Sequence, residues 1–400
     1  MTVRTSSPDQ DNALGPGGAW AMAVGGMIGG GIFSTMGVVI TVAGHWTWFS
    51  FLIGGLVALA SGQSYSALTR KFDKPGGSYA YLRETGWKRL ARFVVWVLIL
   101  GYTLTVSVYA VTFGAYAANV FDAPHWVALL AAVGAITVLA GVNLLGAAEA
   151  TLLEKVAVWG KLVILLGLAG IGLWHWAPEQ LVLQPGEPVG FGAALVGMGV
   201  VFMAYEGFQL LSYDYDEMRD APRTISVAMP AAIIVTTLTY VVVALGATML
   251  AGAPAIVDEA EVALALAGQE ALGLFGFVAV SIAATFSAGS AINATVFATA
   301  RLAESAAQDG ELPGLFASRD KRNVPWFGTL VISGVAIALV LLGNIAGLVE
   351  AASFVFLLVF GLVNWLAIHH RAGRRWIAAV GLFGSLAGAT MLVLYLAGIV

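Results

Sequence analysis

Apolar runs of about 20 residues recur along the chain, each long enough to cross a hydrocarbon layer of about 30 Å. Short polar or glycine-containing joins separate them. The pattern predicts eleven membrane-spanning helices, at 17–43, 48–69, 90–118, 125–144, 151–176, 190–212, 224–251, 270–300, 326–342, 346–368 and 376–397. Residues 1–16 are polar and Gly/Pro-containing, without the basic start of a signal peptide, and are expected to form a disordered cytoplasmic tail. No polar segment is long enough to enclose a soluble core, and the long unalternating runs argue against a β-barrel.

Charge placement tests this count. With the N-terminus inside, the inner connections fall near 70–92, 145–161, 213–223, 301–325 and 369–375. All 19 Lys and Arg lie in the tail, in these connections or in the membrane entry just beyond them, with Lys161 furthest into a span. The outer connections carry Glu179, Glu187, Asp258, Glu259 and Glu261 instead. One miscounted helix would scatter the basic residues over both faces, so the bias predicts N-terminus inside and C-terminus outside, in a cytoplasmic (inner) membrane.

Composition agrees: 59% of the 400 residues are hydrophobic and 10% charged, too little charge to cover a soluble protein of this size. Cysteine is absent, which excludes disulfides, thiolate metal ligands and cysteine nucleophiles. No spaced nucleophile–base set or metal cluster is visible, so neither an enzyme nor a metal or other cofactor is expected. His369 and His370 look interfacial. The few basic residues hug one membrane face and give nucleic-acid binding no support.

Two places weaken an otherwise regular pattern. In GGMIGGGIFS, Gly25–Ser34 of the first span, five of ten residues are glycine, each costing about 0.5–1 kcal/mol against Ala in a helix interior. Close helix packing is one reading. The other is an interrupted helix whose freed N–H groups at Gly29, Gly30 and Gly31 meet an anion while nearby carbonyls meet a cation. In VFMAYEGFQLLSY, Val201–Tyr213 of the sixth span, Glu206 stands directly before Gly207. A carboxylate at membrane depth needs a cation, a proton or a wet cavity, unless it lies near water at an interface. The spacing of these two spans predicts inverted five-helix repeats with half-helix ends meeting at a central site. Lys161, in the fifth span, either snorkels or faces the bundle where a Na⁺ would otherwise sit. Tyr102 and Tyr109 fit packing better than a pocket. The Ser/Thr/Asn set Ser281, Thr285, Ser287, Ser290 and Asn293 could supply one or two ion ligands, but most are expected to bond back to i−4 carbonyls, and Asn364 to join two helices.

At these residues the chain resembles the amino acid–polyamine–organocation (APC) family of secondary transporters, over nearly its whole length. Met27–Phe33 is similar to that family's broken first helix, with Gly30 where Ser, Thr or Ala is usual. Pro75-Gly76-Gly77-Ser78-Tyr79 resembles its P-x-G-G-S-Y element, and Phe202–Phe208 its F-x-x-Y-x-G-F segment. Glu311-Leu312-Pro313 with Phe316 resembles the loop after its eighth helix. Asp216–Ser226 resembles E-E-x-K-N-P-x-R-x-I-P, departing at Ala221 and Ser226, with Pro222 expected to open a helix. Eleven helices also differ from the twelve of many members.

The resemblance implies an all-α LeuT-type 5+5 inverted repeat with discontinuous helices 1 and 6: residues 17–176, then 190–368, then an extra helix within 376–400. A substrate carboxylate would meet Gly29–Gly31, and its ammonium the carbonyls near Met27, Ile28, Phe202 and Met203. A side chain near Phe202, Met203 or Tyr205 would form part of the gate. Lys161 matches a fifth-helix lysine of proton-coupled relatives, and Glu206 is a second candidate for ion coupling. The expected activity is proton-coupled uptake of a small or apolar neutral amino acid. The rival is transport or exchange of a cationic amino acid or polyamine, with Glu206 pairing the amine. A channel is disfavoured, because a broken-helix pair suits binding followed by gating.

Overall fold

The computed structural model describes residues 13–146, 151–183 and 190–400, without the side chains of 151–157. Its helices are α1 (Pro16–Ala43), α2 (Thr47–Phe72), α3 (Gly77–Glu84), α4 (Lys88–Asn119), α5 (His125–Leu144), α6 (Thr151–Trp174) and α7 (Gly192–Val201). There follow α8 (Ala221–Ala251), α9 (Ala253–Asp258), α10 (Ala263–Gln308), α11 (Trp326–Leu342), α12 (Ile345–His369) and α13 (Arg375–Leu396). Among the described residues seven stretches are long and apolar enough to cross a membrane, the first of them the 57 residues Pro16–Phe72 that contain α1 and α2. Val158–Trp174, Gly192–Tyr205 and Trp326–Leu342 are shorter apolar helices. The chain is therefore an all-α polytopic membrane protein.

Helix ends follow local chemistry. The long N-terminal apolar stretch is discontinuous at Gly44, whose φ of 52° ends α1 and leads through a short 3-10 turn into α2. Pro222 lies in the first turn of α8, as expected, where its missing N–H costs nothing. Asn344 caps α12 by accepting from the Gly347 N–H at 2.9 Å. α10 contains a kink at Leu272–Gly273, where glycine takes φ 60°, and the helical stretch after the kink begins close to the expected start of the eighth apolar run. Leu274, Phe275, Leu342 and Phe383 are at least three-quarters exposed, as side chains facing lipid are.

The core is lined with small residues and with hydroxyls bonded to helix carbonyls. Asn364 joins α12 to α2, donating to Ser61 Oγ at 2.8 Å and accepting from Ser64 at 2.7 Å. Residues 1–12 of the expected tail, and Glu187 of an outer connection, lie outside the described residues. The tail's last part is not free. Leu14 pairs with Met218, its N–H donating to the Glu217 carbonyl at 2.9 Å and its carbonyl accepting from Arg219 at 3.0 Å.

Candidate substrate and coupling site

The sixth apolar run breaks where Glu206 and Gly207 stand. α7 stops at Val201, a 3-10 turn covers Phe202–Tyr205, Glu206 becomes extended (ψ 146°) and Gly207 takes φ 121°. Beyond the break the chain continues in 3-10 turns, Phe208–Ser212 and Tyr215–Glu217, rather than the regular second half expected. Gly207 is required twice over. Its φ suits only glycine, and a Cβ there would stand 2.7 Å from the Gly26 carbonyl carbon and 2.8 Å from the Met27 nitrogen. That close approach seats the break directly on the glycine run of α1.

The glycine run behaves differently from the expected gap: α1 stays helical from Pro16 to Ala43. Its carbonyls nevertheless accept further bonds from side chains. Tyr240 of α8 places its hydroxyl 2.7 Å from the Met27 carbonyl and 3.0 Å from that of Ala204, spanning both weak places. Ser287 of α10 bonds the Gly29 carbonyl and lies 3.2 Å from that of Ile28, so it does not bond back along its own helix as expected. Thr285 does, to the Ser281 carbonyl at 2.8 Å. Ser34 and Thr35 donate to the Gly30 and Gly31 carbonyls at 2.7 and 2.8 Å. Tight packing holds the segment helical despite its poor propensity.

Glu206 is 2% exposed. Gln209 Nε2 donates to its Oε1 at 3.4 Å and to the Tyr102 hydroxyl at 3.2 Å, while Gln209 Oε1 accepts from the Gly207 N–H at 3.1 Å. The Tyr102 and Tyr213 hydroxyls are 3.5 Å apart. The buried Tyr109 hydroxyl interacts electrostatically with Glu206 without meeting hydrogen-bond geometry, and the Tyr109 ring lies against Gly30. Phe202, Met203 and Tyr205 are fully buried. Met203 N–H donates to Ser353 Oγ at 2.9 Å, and Tyr205 donates to the Phe51 carbonyl at 2.6 Å.

The structure thus brings Met27–Gly31, Phe202–Glu206 and Tyr109 together. Lys161 is buried on α6, which packs on α1, α8 and α10. Gln209 and Tyr109 are polar neighbours of Glu206. Sequence reasoning missed Gln209, Tyr240 and Ser353. Gln209 alone carried a signal, as a polar residue three positions after a buried carboxylate.

The end of the bundle that carries the basic residues is shut over this site. Gly76 N–H donates to the Ser212 carbonyl at 3.0 Å, and φ of 113° and 58° at Gly76 and Gly77 turn the chain into α3. From α3, Arg83 pairs with Asp309, to which the Tyr79 hydroxyl also donates at 3.0 Å. Burial and the Asp309 carboxylate push the Tyr79 phenol well above its usual range. Arg92 pairs with Glu311 at 2.8 Å.

A family model described as amino acid permease matches residues 14–400. The inner membrane transport protein YbaT of Escherichia coli (strain K12) is 30% identical over 370 residues, 90% of this chain and 85% of the relative. The serine/threonine exchanger SteT of Bacillus subtilis (strain 168) is 24% identical over 88% of this chain and 81% of its own. The methylthioribose transporter of the same organism is 28% identical over 82% and 75%. The chain belongs to the amino acid permease family, of the APC type, which makes it a secondary transporter of amino acids rather than an enzyme.

Proposed function

We propose that this permease takes up small or apolar neutral amino acids together with protons, by alternating access through inverted five-helix repeats at 17–176 and 190–368. The helix within 376–400 is added outside the repeats, making eleven spans. The positive-inside bias supports an inward N-terminus and outward C-terminus, and the name of the Escherichia coli relative supports an inner membrane. The observation that carries the reading is the seating of the Glu206–Gly207 break on the glycine run. In this reading the substrate carboxylate meets the Gly29–Gly31 backbone, and its ammonium the carbonyls of Met27, Ile28, Phe202 and Met203. Phe202, Met203 and Tyr205 shape the wall, and Tyr109 moves off Gly30 to admit the side chain. The lining offers no Lys or Arg to an acidic side chain, and its apolar groups suit a small one. Lys161, buried on α6, carries the coupling proton, and release and uptake there repack α1.

Glu206 motivates a second reading, in which it pairs the distal amine of a cationic amino acid or polyamine. Uptake into proteoliposomes separates the two, using alanine, leucine, lysine and putrescine with the wild type, Glu206→Gln and Lys161→Ala. The first reading expects alanine and leucine uptake driven by a pH gradient, abolished in Lys161→Ala while counterflow survives. Gradient-driven uptake surviving in Lys161→Ala removes the coupling role. Uptake of lysine or putrescine alone, lost in Glu206→Gln, replaces the first reading with the second.

A further inference from the structure

Away from the central site, a cavity of about 320 Å³ opens between α2, α8 and the turn into α13, at the basic end of the bundle. Gln63, Ser66 and Arg70 line it from α2, Ser226 and Pro230 from α8, and Arg374 from the turn; among the described residues no carboxylate lines it. Among the described residues neither arginine forms an ion pair. Arg70 donates its Nε to the Ser66 carbonyl at 3.2 Å, which leaves the two Nη groups of its fork for an anion. The Ser66 hydroxyl is buried without a partner in a residue 4% exposed. Pro230 has no N–H to give the Ser226 carbonyl, so the wall also holds a free acceptor. The 22-residue α13 begins beside Arg374 without a side-chain cap, and the Ile377 and Ala378 N–H groups donate to the Arg374 carbonyl at 3.0 and 3.3 Å.

A furrow leads from this cavity along α2. Between Thr47 and Arg70 the exposed positions of α2 are Leu56, Gln63 and Arg70, spaced by seven and so aligned on one face. On one side of that line Gly55 and Gly62 pack on Thr237 and Ile233 of α8; on the other, Val57 and Ala67 pack on Gly384 of α13 and on Gly373. The line therefore lies at the bottom of a cleft between α8 and α13. Leu56, 54% exposed, stands about 21 Å along the helix from Arg70 at 1.5 Å per residue, close to the reach of an acyl chain. Trp376, 66% exposed at the start of α13, is placed as an interfacial anchor.

We propose that this cleft binds an anionic phospholipid, its phosphodiester held between Arg70 and Arg374 with the Ser66 hydroxyl, and one acyl chain lying in the furrow towards Leu56. Paired guanidiniums without carboxylates supply the charge recognition. The apolar furrow makes a lipid, rather than free phosphate, the occupant. The site stands independently of the substrate reading.

Delipidated full-length protein is incubated in detergent with dioleoylphosphatidylglycerol, dioleoylphosphatidylcholine or inorganic phosphate, then examined by native mass spectrometry and thermal unfolding. Phosphatidylglycerol is retained at least fivefold better than phosphatidylcholine and raises Tm, whereas millimolar phosphate does not. Arg70→Gln/Arg374→Gln loses at least fivefold of that retention. Arg374→Gln alone, in an exposed turn, loses severalfold and covers the case of a double variant that fails to fold. Equal retention of the two lipids, unchanged retention in the variants, or full stabilisation by inorganic phosphate overturns the proposal.

Discussion

The tightest constraint in the central site is the face of Tyr109 on Gly30, and Gly30→Ala is the smallest change that tests it. A Cβ at position 30 would stand 3.0 Å from Tyr109 Cγ and nearer still to Cδ1 and Cε1, whereas ordinary contact begins at 3.4 Å. The ring would have to withdraw by about 1 Å or more to restore contact distance. Tyr109 is 1% exposed, so its ring withdraws only by displacing packed neighbours. Overpacking of this kind costs about 1–3 kcal/mol, or about 5- to 150-fold in an equilibrium constant. The substrate in the proposed site approaches the same backbone, so the methyl also raises KM. Two measurements on Gly30→Ala, Tyr109→Ala and the double variant separate these effects. Thermal unfolding of the empty protein should show coupling, Gly30→Ala lowering Tm in the wild-type background and much less once the ring is gone. Uptake should show none, because the added methyl obstructs the substrate in either background. Gly30→Ala with wild-type Tm and KM would refute both the packing argument and the assignment.

Two further predictions concern the basic end. The chain has no cysteine, so Ser212→Cys, buried beneath the Gly76–Gly77 turn, reports opening by thiol labelling. Asp309→Ala removes the partner of both Arg83 and Tyr79; at about 1–1.4 kcal/mol for partly exposed charged bonds, labelling should accelerate about 5- to 10-fold. An unchanged rate would show that the α3 contacts do not hold this end shut. His370 has its Nε2 buried without a partner, and burial, then His369 and Lys71, lower its pKa below the usual 6.5. Its stabilising contribution is therefore present above pH 6.5 and lost as pH falls through the lowered folded pKa. The Tm of His370→Gln should fall less than that of the wild type between pH 7.5 and 5.5, and parallel curves would exclude His370 as the source.

Helix placement was legible because hydropathy and the membrane thickness both act on windows of about 20 residues. α4, α5, α8, α11, α12 and α13 begin and end within a few residues of their expected bounds. The break at Glu206–Gly207 was legible too, since a buried carboxylate beside glycine violates the pattern twice. The continuity of α1 was not. Propensity counts five glycines against a helix, but Gly26 lying on Gly207 and Tyr240 bridging Met27 and Ala204 are tertiary contacts that no local window contains. Tyr109 looked like packing, and it does pack; its significance comes from what it packs on. Ser353 and Tyr240 gave no warning because a single hydroxyl in an apolar helix ordinarily bonds its own turn.

The two weak places therefore differ in kind: one crossing is cut, the other is helical with its carbonyls held from outside. The cross-helix partners at both are hydroxyls: Tyr240 and Ser287 on α1, Ser353 and Tyr205 around the cut. A hydroxyl rotates about one bond and can trade one carbonyl for another or for a substrate atom, so net changes of about 1 kcal/mol or less per exchange are expected. Under the proposed alternating access, opening at the basic end would instead separate Arg83 from Asp309 and Arg92 from Glu311, besides the paired strand-like contact at Leu14. The centre is thus built from interchangeable bonds and the closure from charged ones. In that reading a substrate that alters α1 slightly has little to overcome locally, and the larger cost of opening the basic end falls on Asp309 and Glu311 rather than on Tyr240.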